Sequence, residues 1–115
     1  TWDTITPAEE VMRTLDDLVS AGKVRHIGLS DTPAWYAARA QTIAEYRNYE
    51  PISALQLEYS LVERNIEREL IPLGQQLGMG TMVWSPLASG LLSGKYKPSE
   101  SGFTGEGRLD TTRGI

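Results

Sequence analysis

The stretch ISALQLEY, Ile52 to Tyr59, decides how the rest of the chain is read. It follows the breaker segment NYEP and reads as a strand. Leu55 and Leu57 fall on one face and Gln56 and Glu58 on the other, because successive strand side chains point to opposite sides. The leucines are expected to meet a layer of helices. Two further apolar segments, KVRHIGLS (23–30) and GTMVW (80–84), read as strands on either side of it in the sequence. The centres Ile27, Leu55 and Met82 lie 28 and 27 residues apart by subtraction. That interval is one strand–helix unit, so the strands are predicted to be parallel, with right-handed crossovers.

The intervals between strands carry helix signals. In TPAEEVMRTLDDLVSAG, Thr6 is placed to cap, Pro7 occupies the first helical position, and Glu9 completes a capping box. Val11, Leu15, Leu18 and Val19 line one stripe, and Gly22 suits the left-handed residue that ends a helix. Thr32-Pro33 opens a second helix, running to about Tyr46. Asn65 is placed to cap a third, IERELIPLGQQL, with Ile66, Leu70, Leu73 and Leu77 on one side, Pro72 as an interior kink and Gly78 as its end. After Pro98 the pattern stops, and a Gly/Ser/Thr-rich tail is expected to be mobile or to order on a ligand. The fold class is α/β. The rhythm alone leaves a doubly wound sheet and a part of a (β/α)₈ barrel both open.

Composition narrows the function. With 115 residues, 40% apolar and 23% charged, the chain has the make-up of one ordinary globular domain. A net charge of -4 argues against nucleic-acid or anionic-membrane binding, both of which favour a basic face. No apolar run approaches the ~20 residues that cross a bilayer. The absence of cysteine removes any disulfide framework and fits a reducing cytosol, so a cytoplasmic location is expected. A single histidine and no dense acidic cluster argue against a metal site. That histidine, His26, is expected to be packed and structural, since it lies short of the strand's carboxyl end.

The polar residues gather at the strand ends: Ser30-Asp31, Glu58-Tyr59 and Trp84-Ser85. In both architectures ligands collect at the carboxyl ends of parallel strands. Gln56, on an inner face, needs partners for its carbonyl and its amine, which a neighbouring backbone group, a buried water or a planar primary amide of a ligand could each supply. Ser30-Asp31 is open to reading as a helix cap, and Trp84 as plain core. The segment WSPLASGLLSGKY, Trp84 to Tyr96, favours the ligand reading. Its loop is expected to leave backbone N–H groups free for an anionic oxygen, with Ser89 and Ser93 adding hydroxyls and Lys95 a positive charge. Trp84 offers a face for a flat ring. SGLLSGK is not a phosphate loop of the nucleoside-triphosphatase type, because the glycine spacing differs and Tyr96 follows the lysine. A carboxamide reader, a stacking ring and an anion cradle together describe a nicotinamide dinucleotide site.

The segments WDTITPAEEVMRTLDDLVSAGKVRHIGLSD, LQLEYSLVER and VWSPLASGLLSGKY, in that order and spacing, resemble the aldo-keto reductase superfamily. The resemblance runs from Trp2 to about Tyr96, and points to the branch with Trp at the nicotinamide-stacking position, which includes relatives of potassium-channel β subunits. It implies a (β/α)₈ TIM barrel that uses NADPH. Residues 1–97 then correspond to strands five to seven with their helices, a partial TIM barrel, and 98–115 to a flexible tail or cofactor flap. By the resemblance Ser30 and Asp31 stand at the carboxamide contact, where the family commonly has Asn or Arg second. Gln56 matches the carboxamide-binding glutamine and Trp84 the stacking residue. Ser85, Pro86, Leu87, Ala88 and Ser89 match the pyrophosphate loop, Lys95 its cationic contact and Arg108 a basic residue of the flap. The family's catalytic Asp, Tyr, Lys and His all precede this region, so no catalytic residue is assigned here; Tyr59 lies on the wrong strand for the family's tyrosine.

Three functions follow as expectations. The first is a fragment of an NADPH-dependent reductase whose intact form takes a small carbonyl substrate, the isolated chain being inactive. The second is a non-catalytic nucleotide-binding or self-assembling half-barrel. The third is a regulatory cofactor sensor of the channel-subunit kind. Three parallel strands leave two unpaired edges, so self-association of the open sheet is expected.

Overall fold

The structure, a computed structural model, describes residues 1–100 and 102–110. Helix α1 (Ala8–Ser20), strand β1 (Ile27–Ser30), α2 (Ala34–Arg47), β2 (Ile52–Glu58), α3 (Leu70–Leu77) and β3 (Gly80–Trp84) alternate along the chain. Strands β1, β2 and β3 form one parallel sheet in that order. The architecture is mixed α/β, three parallel strands alternating with helices, as in part of a (β/α)₈ barrel.

The alternation in β2 orders the packing. Ile52, Leu55 and Leu57 are buried with Ile27 and Leu29 of β1, Met12 of α1, and Ala37, Ala40 and Ala44 of α2. Alanines at these α2 positions let the helix backbone approach the sheet closely. The other face is open. There Ser30, Gln56 and Met82 stand side by side in register, and Glu58 pairs with Trp84. Gln56 is exposed and Met82 is 58% exposed. Gln56 thus faces away from the helices, as its place in the alternation requires, but it is not buried.

All three helices end alike. The residues Gly22, Asn48 and Gly78 have φ of 76°, 57° and 75°, in the left-handed region. Beyond them Lys23 donates to Leu18 O (3.0 Å), Tyr49 to Ala44 O (2.8 Å) and Met79 to Gly74 O (2.8 Å). These bonds satisfy carbonyls that the helix itself leaves unpaired, and they turn the chain into the next strand.

The helix starts depart from expectation. Thr6 does not cap α1: Pro7 holds the N-cap position without a side-chain bond, and the Thr6 hydroxyl donates to Asp3. Asp3 Oδ1 instead accepts the amides of Ile5 (2.9 Å) and Thr6 (2.8 Å), a turn made by the Asp side chain just before the helix. Glu9 pairs with Arg39 of α2 rather than closing a capping box. Nor does Asp31 or Thr32 cap α2, where Pro33 holds the N-cap position. The third helix is shorter than predicted. Asn65–Glu67 is a 3₁₀ turn, and α3 begins only at Leu70. Pro72 is therefore its third residue, where the missing N–H would have no helical partner anyway, so no kink arises. Gly74 is buried, and a Cβ there would lie 2.9 Å from Met79 O. Glycine permits α3 to press against the entry to β3.

One further expectation is corrected. His26 is not packed: its side chain is 75% exposed and 3.9 Å from Glu50. It precedes β1 instead of lying within it, so alternation does not bury it. In the tail, expected to be mobile or to order on a ligand, β4 (Lys97–Ser99) pairs antiparallel with β5 (Gly102–Thr104). Tyr96, buried beneath it, meets Phe103 at 6.4 Å between ring centroids and accepts the Leu109 amide. Ser101 and residues 111–115 of that tail lie outside the described residues.

Candidate functional site

The carboxyl ends of the three strands form a rim. Asp31 donates its amide to Gln56 O (3.1 Å), and Tyr59 donates to Trp84 O (3.3 Å), so the sheet's bonding continues one residue past β1 and β2. Across this rim Trp84 Nε1 donates to Asp31 Oδ1 at 3.0 Å. The second oxygen of Asp31 lies 3.4 Å from the Ser30 hydroxyl. Ser30 and Asp31, the pair expected at a carboxamide, thus turn toward each other and toward the indole. Gln56 makes no side-chain hydrogen bond among the described residues, and its amide is exposed. Trp84 remains 39% exposed while its N–H edge is tied down.

Two cavities meet at Trp84. One, about 320 Å³, is lined by Trp2, Thr32, Leu57 and Leu70 together with the acidic residues Asp31, Glu58 and Glu63. The Thr32 hydroxyl is buried there and has no hydrogen-bond partner among the described residues. The other, about 400 Å³, is lined by Trp84, Ser85, Pro86, Leu87, Ser89, Gly90 and Arg108. Arg108, named from a weakly patterned tail, therefore stands beside the loop that follows β3.

That loop is built differently from the expected open cradle. The amides of Ala88, Gly90, Leu91, Leu92 and Ser93 all donate to carbonyls inside the loop. The Ser89 amide donates to Ser85 Oγ at 3.2 Å. Consecutive tight turns consume these donors, so they are not free for an anion. Ser85, Ala88 and Ser89 hold φ of 54°, 50° and 57°, a conformation that L-residues adopt at a cost. The Ser93 hydroxyl is also engaged, donating to Gly90 O at 2.6 Å. Positive charge is what remains available. The Lys95 ammonium lies 5.2 Å from the Tyr96 ring centre. A Cβ on Gly90 would come within 3.1 Å of it and one on Gly107 within 2.9 Å, so it sits between the loop and the segment carrying Arg108.

A second cluster lies in the connection after β2. Tyr59 donates to Glu67 Oε1 (2.7 Å), and Arg64 clasps both oxygens of Glu67 at 2.6 and 3.1 Å. The bond to the Glu67 carboxylate raises the Tyr59 phenol above its ordinary value. Arg64 first, then Tyr59, holds Glu67 below the usual carboxylate range. The single Glu67 carboxylate thus occupies both Tyr59 and Arg64, in the connection where Ser60 Oγ accepts the amides of Val62 and Glu63.

The sequence profile of the Aldo/keto reductase family matches residues 1–112. The chain belongs to the aldo/keto reductase family. It is 40% identical over 108 residues to the uncharacterized oxidoreductase YrpG of Bacillus subtilis, covering 94% of this chain and 33% of that protein. It is 40% identical over 97 residues to an aryl-alcohol dehydrogenase of Pestalotiopsis microspora, covering 84% of this chain and 25% of that protein. With norsolorinic acid reductase of Aspergillus flavus it shares 38% over 107 residues, 93% of this chain and 26% of that one. The chain thus spans a quarter to a third of the length of these relatives. No helix among the described residues is long and apolar enough to cross a membrane.

The sequence named most of the rim residues but not how they join. The Asp31–Trp84 bond, the orphaned Thr32 hydroxyl and the place of Trp2 beside the cavity carry no local signature. Only the order and parallel sense of the strands bring positions 31 and 84 together.

Proposed function

We propose that the chain carries the nicotinamide- and pyrophosphate-binding part of an NADPH-dependent aldo/keto reductase acting on small carbonyl compounds. The observation that supports this best is the exposed Gln56 amide, unpartnered among the described residues, on the same face as a half-exposed, edge-anchored Trp84 indole. Both stand on the open face of the sheet, and Trp84 borders a cavity that Arg108 and the 85–90 loop also line. The donor set fits the cofactor. A primary amide complements a carboxamide, an indole face receives a flat ring, and two cations answer a pyrophosphate. Gln56 would read the carboxamide; Trp84 would orient the ring; Arg108 and Lys95 would hold the phosphates, and Ser85 to Ser89 would shape their pocket. A bound reduced nicotinamide supplies the hydride. This chain supplies position, while the proton for the carbonyl oxygen comes from outside it.

Calorimetric titration of the 115-residue chain with NADPH tests the reading. Weak but saturable binding is expected, lowered about threefold to tenfold by Trp84→Ala, as the loss of an aromatic contact implies. Gln56→Ala lowers it similarly. Absence of binding, or binding indifferent to both changes, rejects the assignment. The isolated chain is expected not to reduce 4-nitrobenzaldehyde.

A second reading concerns assembly and rests on the sheet itself. Both β1 and β3 are edges, every residue of β3 is exposed, and Met82 and Trp84 lie bare on the open face. Such an edge recruits another strand. Copies of the chain are expected to associate, and sedimentation of a compact monomer at high concentration would exclude it.

A further inference from the structure

We propose that Asp31 is a positioning residue for Trp84, and that its charge tilts the site toward the oxidised, cationic form of the nicotinamide ring. The second half of this rests on the function proposed above; the first does not.

Among the described residues the carboxylate of Asp31 is the sole side-chain hydrogen-bond anchor of the indole edge: Oδ1 accepts from Trp84 Nε1 at 3.0 Å, across a sequence separation of 53 residues. Indole has one donor, so a single well-placed acceptor fixes which edge of the ring points inward. The anchor is itself held. Asp31 has φ of 52°, which short polar residues tolerate, and its amide is bonded to Gln56 O at 3.1 Å. Its backbone thus stays on the strand tip while the side chain reaches over β2. An asparagine there would keep the acceptor and lose the charge.

That charge is not isolated. Glu58 and Glu63 line the same cavity as Asp31 and Trp84, and among the described residues no lysine or arginine lines it. Arg108 lines the cavity reached past the other side of Trp84. The indole therefore separates an acidic recess from the basic loop. A reduced nicotinamide ring is neutral and an oxidised one carries a positive charge, so only the second is attracted by the acidic side. At about 6 Å in a solvent-rich setting, one carboxylate favours a unit cation by roughly threefold to tenfold.

Two variants separate geometry from charge. In the ¹⁵N-labelled full chain, the Trp84 indole N–H signal is identified by its loss in Trp84→Phe. Asp31→Ala is expected to shift that signal and speed its exchange with solvent, and Asp31→Asn to leave it bonded. An indole signal unmoved by Asp31→Ala overturns the positioning role. Titration with NADP⁺ and with NADPH then gives the preference for the oxidised form, expected to fall about threefold to tenfold in Asp31→Asn. A ratio unchanged in that variant overturns the charge effect. If neither nucleotide binds the wild-type chain while the indole still responds to Asp31→Ala, the proposed function and the charge effect fall together and the positioning role stands.

Discussion

Replacing Leu55 and Gln56 with alanine, one at a time, separates the two faces of β2 by energy. Leu55 is 1% exposed against the helices, with its Cδ1 3.9 Å from where a Cβ on Gly74 would lie. Truncation removes three carbons, about 2.4 kcal/mol of transfer free energy at ~0.8 per carbon. A residual cavity adds to that, because β1 and α3 hold their places on either side, and the total falls within the ~2–5 kcal/mol seen for buried leucines. Gln56, the next residue, is exposed and unbonded, so its truncation should stay within about 0.5 kcal/mol. With a urea slope of about 2 kcal/mol/M, Leu55→Ala lowers the midpoint by ~1–2.5 M and Gln56→Ala scarcely moves it. Circular dichroism during urea titration, repeated at several protein concentrations, reads both. Equal shifts for the two variants would refute the one-sided packing of the sheet, and with it the claim that Gln56 is free to meet a ligand.

The remaining predictions concern the supports of the rim. Gly74→Ala gains about 1 kcal/mol of helix propensity but drives a Cβ to 2.9 Å from the Met79 carbonyl, and overpacking of about 1–3 kcal/mol should win; a higher melting temperature would show that α3 can retreat. Glu67→Gln should return the Tyr59 phenol toward its ordinary value, since the carboxylate bond is the main cause of its elevation; alkaline difference absorbance, referenced to Tyr59→Phe, follows it. Asp3 is lowered from 3.8 to about 2, chiefly by the Thr6 hydroxyl bond. A depressed folded value means stability that is present above 3.8 and is lost as pH falls through about 2. Asp3→Asn should therefore be less sensitive to acid than wild type between those values, and parallel acid titrations would sink the assignment.

How far the sequence carried the fold depended on whether a feature was periodic or contingent. Strand spacing and the two-residue alternation of Leu55, Gln56, Leu57 and Glu58 are periodic, and the parallel order and buried face followed from them. The left-handed ends at Gly22 and Gly78 were legible for a similar reason, because few other residues adopt that backbone. Helix starts were not. Thr6 had two acceptable partners for its hydroxyl, and Asp3 won by gathering two amides as well. Pro72 looked like an interior break only because Asn65 looked like a beginning. At the site, residue types suggested the rim, and the family resemblance supplied the roles. The turns that consume the loop's amides depend on φ values at Ser85, Ala88 and Ser89 that no residue preference announces.

Those turns change where phosphate affinity would have to come from. A loop with free amides binds an anion through fixed dipoles, which salt screens weakly at contact. Here the donors from Ala88 to Ser93 are spent on the loop's own shape. What faces the adjoining spaces is Arg108 beside the loop and Lys95 between Gly90 and Gly107. These are side-chain charges in exposed positions, and screening over about 10 Å at 0.1 M salt reaches them. The strain at three non-glycine residues is then intelligible as preorganisation. It would set the loop in one shape before a ligand arrives, so that binding need not order it, and under the proposed function the charge for the ligand would sit on separate residues. On the proposed reading, shape from the loop, charge from Lys95 and Arg108, and orientation from Asp31 through Trp84 would be distinct contributions, each resting on different residues at one end of the sheet.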